Sequence, residues 1–372
     1  MNNVPKLRFK EFSGEWEEKI IEDILKIGSG KDYKHLSIGN IPVYGTGGYM
    51  TSVDGYLYEG ESVCIGRKGT IDKPVFLNGK FWTVDTLFYT HSFKDSIPKF
   101  VFSIFQKINW KLYNEASGVP SLSKSTIGKI KINIPSKSEQ EKIASFLTAV
   151  DTKIEQLTKK ESLLQEYKKG VMQKIFNQEI RFKDDDGSEF CEWEMKYGNE
   201  VFRTITNKNH NSDLPILAIS QEFGAIPRDM IDYQISVTDK SVATYKVVEI
   251  GDFIISLRSF QGGIEYSNYK GICSPAYIIL RPHIEVDDRF YKLYMKTDNY
   301  IKELNKNIEG IRDGKMISFK QFSEIKLPYP SIEEQNKIAN FLSSIDIKIE
   351  QTQKQLESSK EFKKALLQQM FV

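Results

Sequence analysis

Arginine, lysine, asparagine, glutamine, hydroxyl and tyrosine side chains recur in glycine-flanked stretches of this sequence. Such a combination suits contact with nucleic acid better than bond-breaking chemistry. In the first half the stretches hold Tyr44, Tyr49, Arg67, Lys68, Lys73, Ser121, Ser123 and Lys124. In the second half they hold Lys208, Asn209, His210, Asn211, Arg228, Arg258, Ser259, Gln261, Arg312 and Lys315. Arginine and lysine read guanine edges or hold phosphates, and asparagine and glutamine match adenine. Neighbouring glycines, such as Gly66 and Gly69 or Gly262 and Gly263, allow backbone to approach another surface closely. Any one of these residues, taken singly, is more often plain solvated surface. The weight lies in their falling into two clusters, one in each half.

No catalytic constellation can be assembled from these residue types and spacings. His35, His91, His210 and His283 are scattered and no His-Glu-x-x-His is present, so no metal site is expected. The stretch Gly310-Ile311-Arg312-Asp313-Gly314-Lys315-Met316 is one residue short of a phosphate-binding loop. It also carries Met316 where a hydroxyl would hold magnesium. Gly45-Thr46-Gly47-Gly48 misplaces a glycine for a dinucleotide fingerprint and reads as a hairpin turn or recognition loop. No Gly-x-Ser-x-Gly elbow occurs, nor the Asn/Asp-Pro-Pro-aromatic run of an amino-methylating enzyme. Asp313, Glu324 and Lys326 could be forced into a nuclease pattern, but Glu324 and Lys326 lie in a repeated strand and align with Lys129 and Lys131.

That repeat is the element around which the chain is organised. Residues 127–176 align with 322–371 without a gap, at an offset of 195, and 22 of the 50 positions are identical. In each copy a short apolar run (Ile130, Ile132, Ile134; Ile325, Leu327, Tyr329) ends at Pro135 or Pro330. Ser136 or Ser331 follows, with Glu139 or Glu334 three residues on, the spacing of a capping box. A 4-3 apolar spacing then runs through Ile143, Leu147, Val150, Ile154 and Leu157 in the first copy. In the second it runs through Ile338, Leu342, Ile345, Ile349 and, after Thr352, Leu356. This is the seam of a coiled coil, and it predicts two uninterrupted helices of roughly 55 Å packed on each other as a rigid spacer. Polar seam positions (Glu161 and Lys168; Thr352, Ser359 and Lys363) come late in both copies, so the pairing is expected to be weakest there.

The duplication reaches further. Arg8-Phe9-Lys10 precedes Trp16 as Arg181-Phe182-Lys183 precedes Trp193. Between head and helix lie variable segments, about 12–125 and 190–318, that hardly resemble each other. Both read as α/β, with strand-like runs at Ser62–Ile65, Phe81–Thr90, Ile216–Ile219, Phe253–Leu257 and Ala276–Leu280. Helical runs are expected at Lys99–Leu112 and Asp288–Asn305. The expected organisation is an α/β (α+β) domain at 1–137, a spacer helix at 138–177, a second domain at 178–332 and a second helix at 333–372. A scaffold kept twice beside inserts that diverged implies one task performed on two targets.

The 372 residues suffice for two or three domains, and 40% hydrophobic with 27% charged residues is a soluble globular balance. Cys64, Cys191 and Cys273 are too far apart for a CxxC site, which suits a reducing, cytoplasmic setting. Neither a signal peptide nor an apolar run long enough for a membrane span is visible, so no membrane partner is expected. The net charge of only +2 is small for a free-standing nucleic-acid binder, which implies that partners supply part of the electrostatics. A coiled-coil adaptor that binds no DNA is the competing reading, and the two loop clusters argue against it.

The chain resembles the specificity subunits of type I restriction–modification systems. The resemblance rests on Lys6-Leu7-Arg8-Phe9 with Gly14-Glu15-Trp16-Glu17-Glu18, and on Ile134-Pro135-Ser136 followed by Glu139-Gln140-Glu141-Lys142-Ile143-Ala144-Ser145-Phe146-Leu147. It rests equally on the second copy, Pro330-Ser331 followed by Glu334-Gln335-Asn336-Lys337-Ile338-Ala339-Asn340-Phe341-Leu342. In the first insert Gly66-Arg67-Lys68-Gly69 and Trp82-Thr83-Val84-Asp85-Thr86-Leu87 add to it. It covers nearly the whole chain and is sharpest in the duplicated helices. The resemblance implies two target-recognition domains, each reading half of a bipartite double-stranded DNA site with a fixed-length spacer. They would be separated by a central antiparallel helix pair with pseudo-two-fold symmetry, which would bind two methyltransferase subunits. Those would bring S-adenosylmethionine and adenine N6-methylation. Two restriction subunits would bring ATP and magnesium for translocation and cleavage. This chain would hold no cofactor and no catalytic residue of its own.

Overall fold

The structure is a computed structural model that describes residues 3–210, 213–231, 242–306 and 317–372. The chain forms two compact units. The first comprises residues 1–161 and 351–372, the second residues 162–350. Both long helices are present and unbroken, Lys137–Phe176 and Ile332–Gln369, starting directly after Ser136 and Ser331. Each unit thus contains the beginning of one long helix and the end of the other.

In the first unit the strand Glu17–Ile20 pairs antiparallel with Lys131–Ile134, so this two-stranded ladder brackets the whole insert. A single helical turn, Ile21–Ile24, leads into a four-stranded antiparallel sheet with the order Lys26–Ser29, Leu87–His91, Ser62–Gly66, Val75–Leu77. Helix Pro98–Lys107 covers it through Phe100, Val101, Ile104 and Phe105, all buried. A short helix, Lys124–Gly128, capped by the Ser123 hydroxyl, returns the chain to the ladder.

The second unit repeats this frame on an unrelated sequence. Ladder Glu194–Tyr197 with Lys326–Tyr329 brackets the insert, and the turn Gly198–Val201 follows. The sheet order is Phe202–Ile205, Ile278–Pro282, Phe253–Ile255, Glu265–Tyr266, strand for strand the counterpart of the first. Helix Phe319–Ser323, capped by Ser318, takes the place of Lys124–Gly128. The inserts differ in what is added to the frame. The first adds a sheet ordered Gly48–Val53, Ile38–Gly45, Lys80–Thr83, Tyr58–Glu59. The second adds the hairpin Leu217–Ser220 with Gly224–Pro227 and the pair Lys246–Val248 with Gly271–Cys273.

Three expectations change. The run Phe81–Thr90 is two strands, Lys80–Thr83 and Leu87–His91, because the chain leaves one sheet and joins another at Val84-Asp85-Thr86. The run Lys99–Leu112 is helical only to Lys107. Beyond it a 3-10 turn, Trp110–Tyr113, forms while the Trp110 indole donates to the Phe105 carbonyl at 2.7 Å. The run Asp288–Asn305 divides into Asp288–Tyr294 and Asp298–Lys306.

The helix seam is buried as its spacing requires. Ile143, Leu147 and Leu157 are buried in the first unit with Leu356, Leu366 and Met370, and Ile338, Leu342 and Ile345 in the second with Ile175. Within each unit the helix segments run antiparallel. In the first unit Lys363 meets Asp151 at 2.6 Å while Gln353 donates to Glu161 at 2.8 Å. In the second unit Lys168 meets Asp346, also at 2.6 Å. Lys168 and Lys363 are equivalent in the repeat, as are Asp151 and Asp346. The late polar positions expected to weaken the seam therefore carry its charge pairs, because antiparallel packing lays the end of one copy on the beginning of the other.

The capping-box expectation is half met. The Ser136 and Ser331 hydroxyls accept from the Glu139 and Glu334 amides at 3.4 and 3.3 Å. The glutamate carboxylates are taken by the repeated heads. Arg8 grips Glu139 through Nε at 2.8 Å and Nη2 at 2.7 Å. Arg181 holds Glu334 at 3.0 Å, and the Trp193 indole adds a bond to the same carboxylate at 2.9 Å. Phe9 and Phe182 stack edge-on against Phe146 and Phe341. The next residue, Gln140 or Gln335, is buried and accepts from the Ile97 or Asp287 amide just before the frame's first covering helix. The repeated Arg-Phe-Lys and Glu-Gln pairs are thus one clasp that fixes a long helix to its domain.

Candidate nucleic-acid interface

In both units the loop that follows the central strand of the frame carries an arginine. After Ser62–Gly66 comes Arg67, and after Phe253–Ile255 comes Arg258; both are exposed. The loop is common to the frame, since Ile65 and Ile255 occupy the same place in the two sheets.

Around Arg67 the structure gathers stretches distant in sequence. Its amide donates to the Thr86 carbonyl at 2.7 Å, and its carbonyl accepts from Leu122 at 2.9 Å. Lys68 bridges Ser121, and Gly69 donates to the Pro120 carbonyl at 2.8 Å. A Cβ on Gly66 would lie 2.0 Å from the Thr70 carbonyl oxygen, so only glycine permits so tight a loop. Gly69 faces Thr46 of the Gly45–Gly48 hairpin turn, beside which Tyr44 and the exposed Tyr49 contact each other edge-on. Lys124 lies over the Phe88 ring. Seven of the eight first-half candidates therefore belong to one surface built from four loops. Lys73 is exposed beside Asp72, whose carboxyl is held below its usual range by Lys111, and nothing links it to this cluster. Within the cluster the Ser123 hydroxyl is committed to its helix cap.

Two residues not singled out from sequence shape this surface. The Asn114 side chain accepts from Ser121 and Ala116 and donates back to Ala116, and Glu115 accepts from the Ser123 amide. Asparagine closing a turn on its own backbone is the only local signal that could have marked it.

In the second unit, Lys208 and Asn209 are exposed, and the His210 ring bonds the Tyr245 carbonyl at 3.1 Å. Arg228 follows the hairpin strand and opens a 3-10 turn, Arg228–Met230; its Nε and Nη1 are buried with no hydrogen-bond partner, so an acceptor reaching them would satisfy a desolvated charge. Arg258 and Gln261 project from the turn Ser256–Gly263, whose Arg258 carbonyl accepts from Gln221 at 2.8 Å. Ser259 is a correction. It is 1% exposed, and its hydroxyl accepts from the Ser256 amide at 2.8 Å, so it shapes the turn instead of facing a ligand. Asn211, Arg312 and Lys315, with the Gly310–Gly314 stretch, lie outside the described residues. Among the described residues no group of His, Cys, Asp or Glu could hold a metal ion, and no helix is long and apolar enough to cross a membrane.

Of the seam residues of the helix pair that the resemblance assigns to binding methyltransferase subunits, Ile143, Leu147, Leu157, Ile338, Leu342, Ile345 and Leu356 are buried, and Val150, Ile154 and Ile349 are half-buried. Their surface is used in pairing. The apolar side chains the helices leave outward are others, among them Tyr167 and Phe362, 55% and 51% exposed.

The family model for the type I restriction modification DNA specificity domain matches this chain twice, over residues 13–165 and 188–358. The chain belongs to that family and is a type I specificity subunit with two recognition domains. It is 27% identical over 328 residues to the type I restriction enzyme MjaVIII specificity subunit of Methanocaldococcus jannaschii, covering 82% of this chain and 74% of that protein. To a protein named as the MjaX specificity subunit of the same archaeon it is 29% identical over 280 residues, 71% of this chain and 63% of that relative's length. The fold is similar to the crystal structure of the type I restriction–modification S subunit from M. genitalium, with a TM-score of 0.67 at 15% identity and 99% of each chain covered. A chain from a structural study of complex assembly and conformational transition in the type I system matches at a TM-score of 0.54, 16% identity, over 95% of this chain and 96% of that one.

Arg67→Ala is expected to cost about 1–3 kcal/mol of discrimination at one base pair of the first half-site. Lys68→Ala should weaken binding to all sequences and flatten the salt dependence, the signature of a phosphate contact. Titrations of matched and mismatched duplexes at several salt concentrations check both. Wild-type values in both variants would remove this loop from the interface.

Proposed function

We propose that each unit reads one half of a bipartite double-stranded DNA site and that the paired helices dock two copies of a methyltransferase subunit, with two restriction subunits completing the assembly. The observation that carries this reading is the frame repeated strand for strand, with an arginine loop at the same position, on inserts that otherwise diverge. Identical frames with different added elements fit one reading task on two sequences. The chain supplies sequence recognition and scaffold. Adenine N6-methylation with S-adenosylmethionine, and cleavage driven by ATP with magnesium, belong to the partners. The assembly works in the cytoplasm.

Duplication also supports a pair of identical docking sites. Tyr167 and Phe362 are 195 residues apart, hence equivalent in the repeat, and one lies in each unit. Exposed aromatics of this kind anchor interfaces. Tyr167→Ala and Phe362→Ala are each expected to leave a complex with one methyltransferase copy, and the double variant none, as read by light scattering of the purified assembly. Undiminished two-copy binding by the double variant would place the docking surface elsewhere. The whole reading is tested by mapping methylated adenines in cells expressing this chain with its methyltransferase partner. A bipartite motif with a fixed gap supports it; methylation without a motif refutes it.

A further inference from the structure

The turn Ser256–Gly263 is held by side chains that reach it from outside. Lys296 donates through Nζ to the Gly262 carbonyl at 2.9 Å and to Glu265 Oε1 at 2.6 Å. Asn305 donates to the Phe260 carbonyl at 2.9 Å, and Gln221 to that of Arg258 at 2.8 Å. We propose that Lys296 is a positioning residue for the second half-site, fixing through Gly262 and Glu265 the turn that presents Arg258 and Gln261 to DNA. This rests on the DNA-reading function proposed above.

The geometry makes the pair a strut. Glu265 lies on the frame's central sheet, paired with Ile254, and its side chain is almost wholly buried. Lys296 therefore links the frame's sheet to a carbonyl of the turn. Gly263 closes the turn at φ +82°, and a Cβ there would come within 2.1 Å of the Met295 carbonyl oxygen. The turn is thus seated against the residue just before Lys296 and has little room to slide. Burial raises the Glu265 carboxyl above its usual range, against the opposing pull of Lys296. Burying the Glu265 carboxyl carries a desolvation cost that an apolar side chain would avoid, so a role in plain cohesion does not call for it. A need for fixed loop geometry does, because base reading by arginine is lost when its support is loose. In the first unit the corresponding loop is held by backbone bonds to Thr86, Pro120 and Leu122, which leaves no such task to a side chain.

The test uses the chain in complex with its methyltransferase partner and duplexes substituted one base pair at a time across both half-sites. Arg258→Ala is expected to relax discrimination at one position of the second half-site by about tenfold or more. Lys296→Met should relax the same position to a similar degree and leave the first half-site as sharp as in the wild type, with Lys296→Arg recovering part of the loss. Gln221→Ala loosens the same turn without unpairing a buried charge and decides the matter should Lys296→Met fail to fold. The proposal is overturned if Lys296→Met and Gln221→Ala keep wild-type discrimination, if Lys296→Met blunts both half-sites equally, or if Arg258→Ala has no effect. A wild-type complex that discriminates at neither half-site would instead refute the DNA-reading function itself.

Discussion

Replacing Glu334 by alanine is expected to destabilise the second unit by about 3–5 kcal/mol, the usual consequence of removing one partner from a buried ion pair. Glu334 is 1% exposed and satisfies both the Arg181 guanidinium and the Trp193 indole. Without it, a guanidinium whose side chain is only 16% exposed loses its buried carboxylate and keeps as ion-pair partner only the exposed Glu192 at 3.4 Å, and the indole N–H loses its acceptor. Glu139→Ala should act on the first unit in the same way by stranding Arg8. Replacing both members of a clasp, as in Arg181→Met with Glu334→Leu, should recover much of the loss, because no charge is then left buried alone. Chemical denaturation of the single and double variants measures this. A cost below about 1 kcal/mol for both glutamates, the range of an exposed ion pair, would show that the clasp does not hold helix to domain.

Inserting one heptad into both long helices at the same level is expected to lengthen the gap between half-sites by about three base pairs. Seven residues add about 10.5 Å of helix, and DNA rises about 3.4 Å per base pair. The matched positions are between Leu157 and Glu161 and between Thr352 and Leu356, where Gln353 bonds Glu161. Whole heptads preserve the seam. The same insertion in the first helix alone should destabilise the subunit, since its two halves could no longer form both the Asp151–Lys363 and Lys168–Asp346 pairs. Methylation of duplexes that differ only in gap length is the measurement. If the doubly lengthened variant keeps the original preference, the helices do not set the spacing.

The duplicated helices were open to reading from sequence because each is a local structure whose 4-3 spacing is written in consecutive residues. Ser136 and Ser331 marked their starts to within a residue or two, and the buried seam follows the apolar list from Ile143 to Leu157 and from Ile338 to Leu356. The absence of a recognisable catalytic motif was likewise a property of residue types and spacing. In the first half Arg67 stands out locally between Gly66 and Gly69, and the structure brings most of the residues named with it onto one surface.

Tertiary structure decided what depends on partners far apart in the chain. Glu139 has a complete local reading as a capping-box residue, and only folding shows that Arg8, 131 residues away, takes its carboxylate. Ser259 looks like a loop hydroxyl until the turn closes and buries it under Ser256. Phe81–Thr90 is a single apolar run whose division between two sheets is set by hydrogen-bond partners that no local pattern names. Strand pairing is non-local, so two inserts with little sequence in common can build one frame, and that Arg67 and Arg258 lie in the same loop of it is apparent only in the fold. Helices satisfy their backbone hydrogen bonds within a few residues and so are legible along the chain. Sheets and the loops between them satisfy theirs across it, and the surface proposed to read DNA, which is made of such loops, took shape only in the fold.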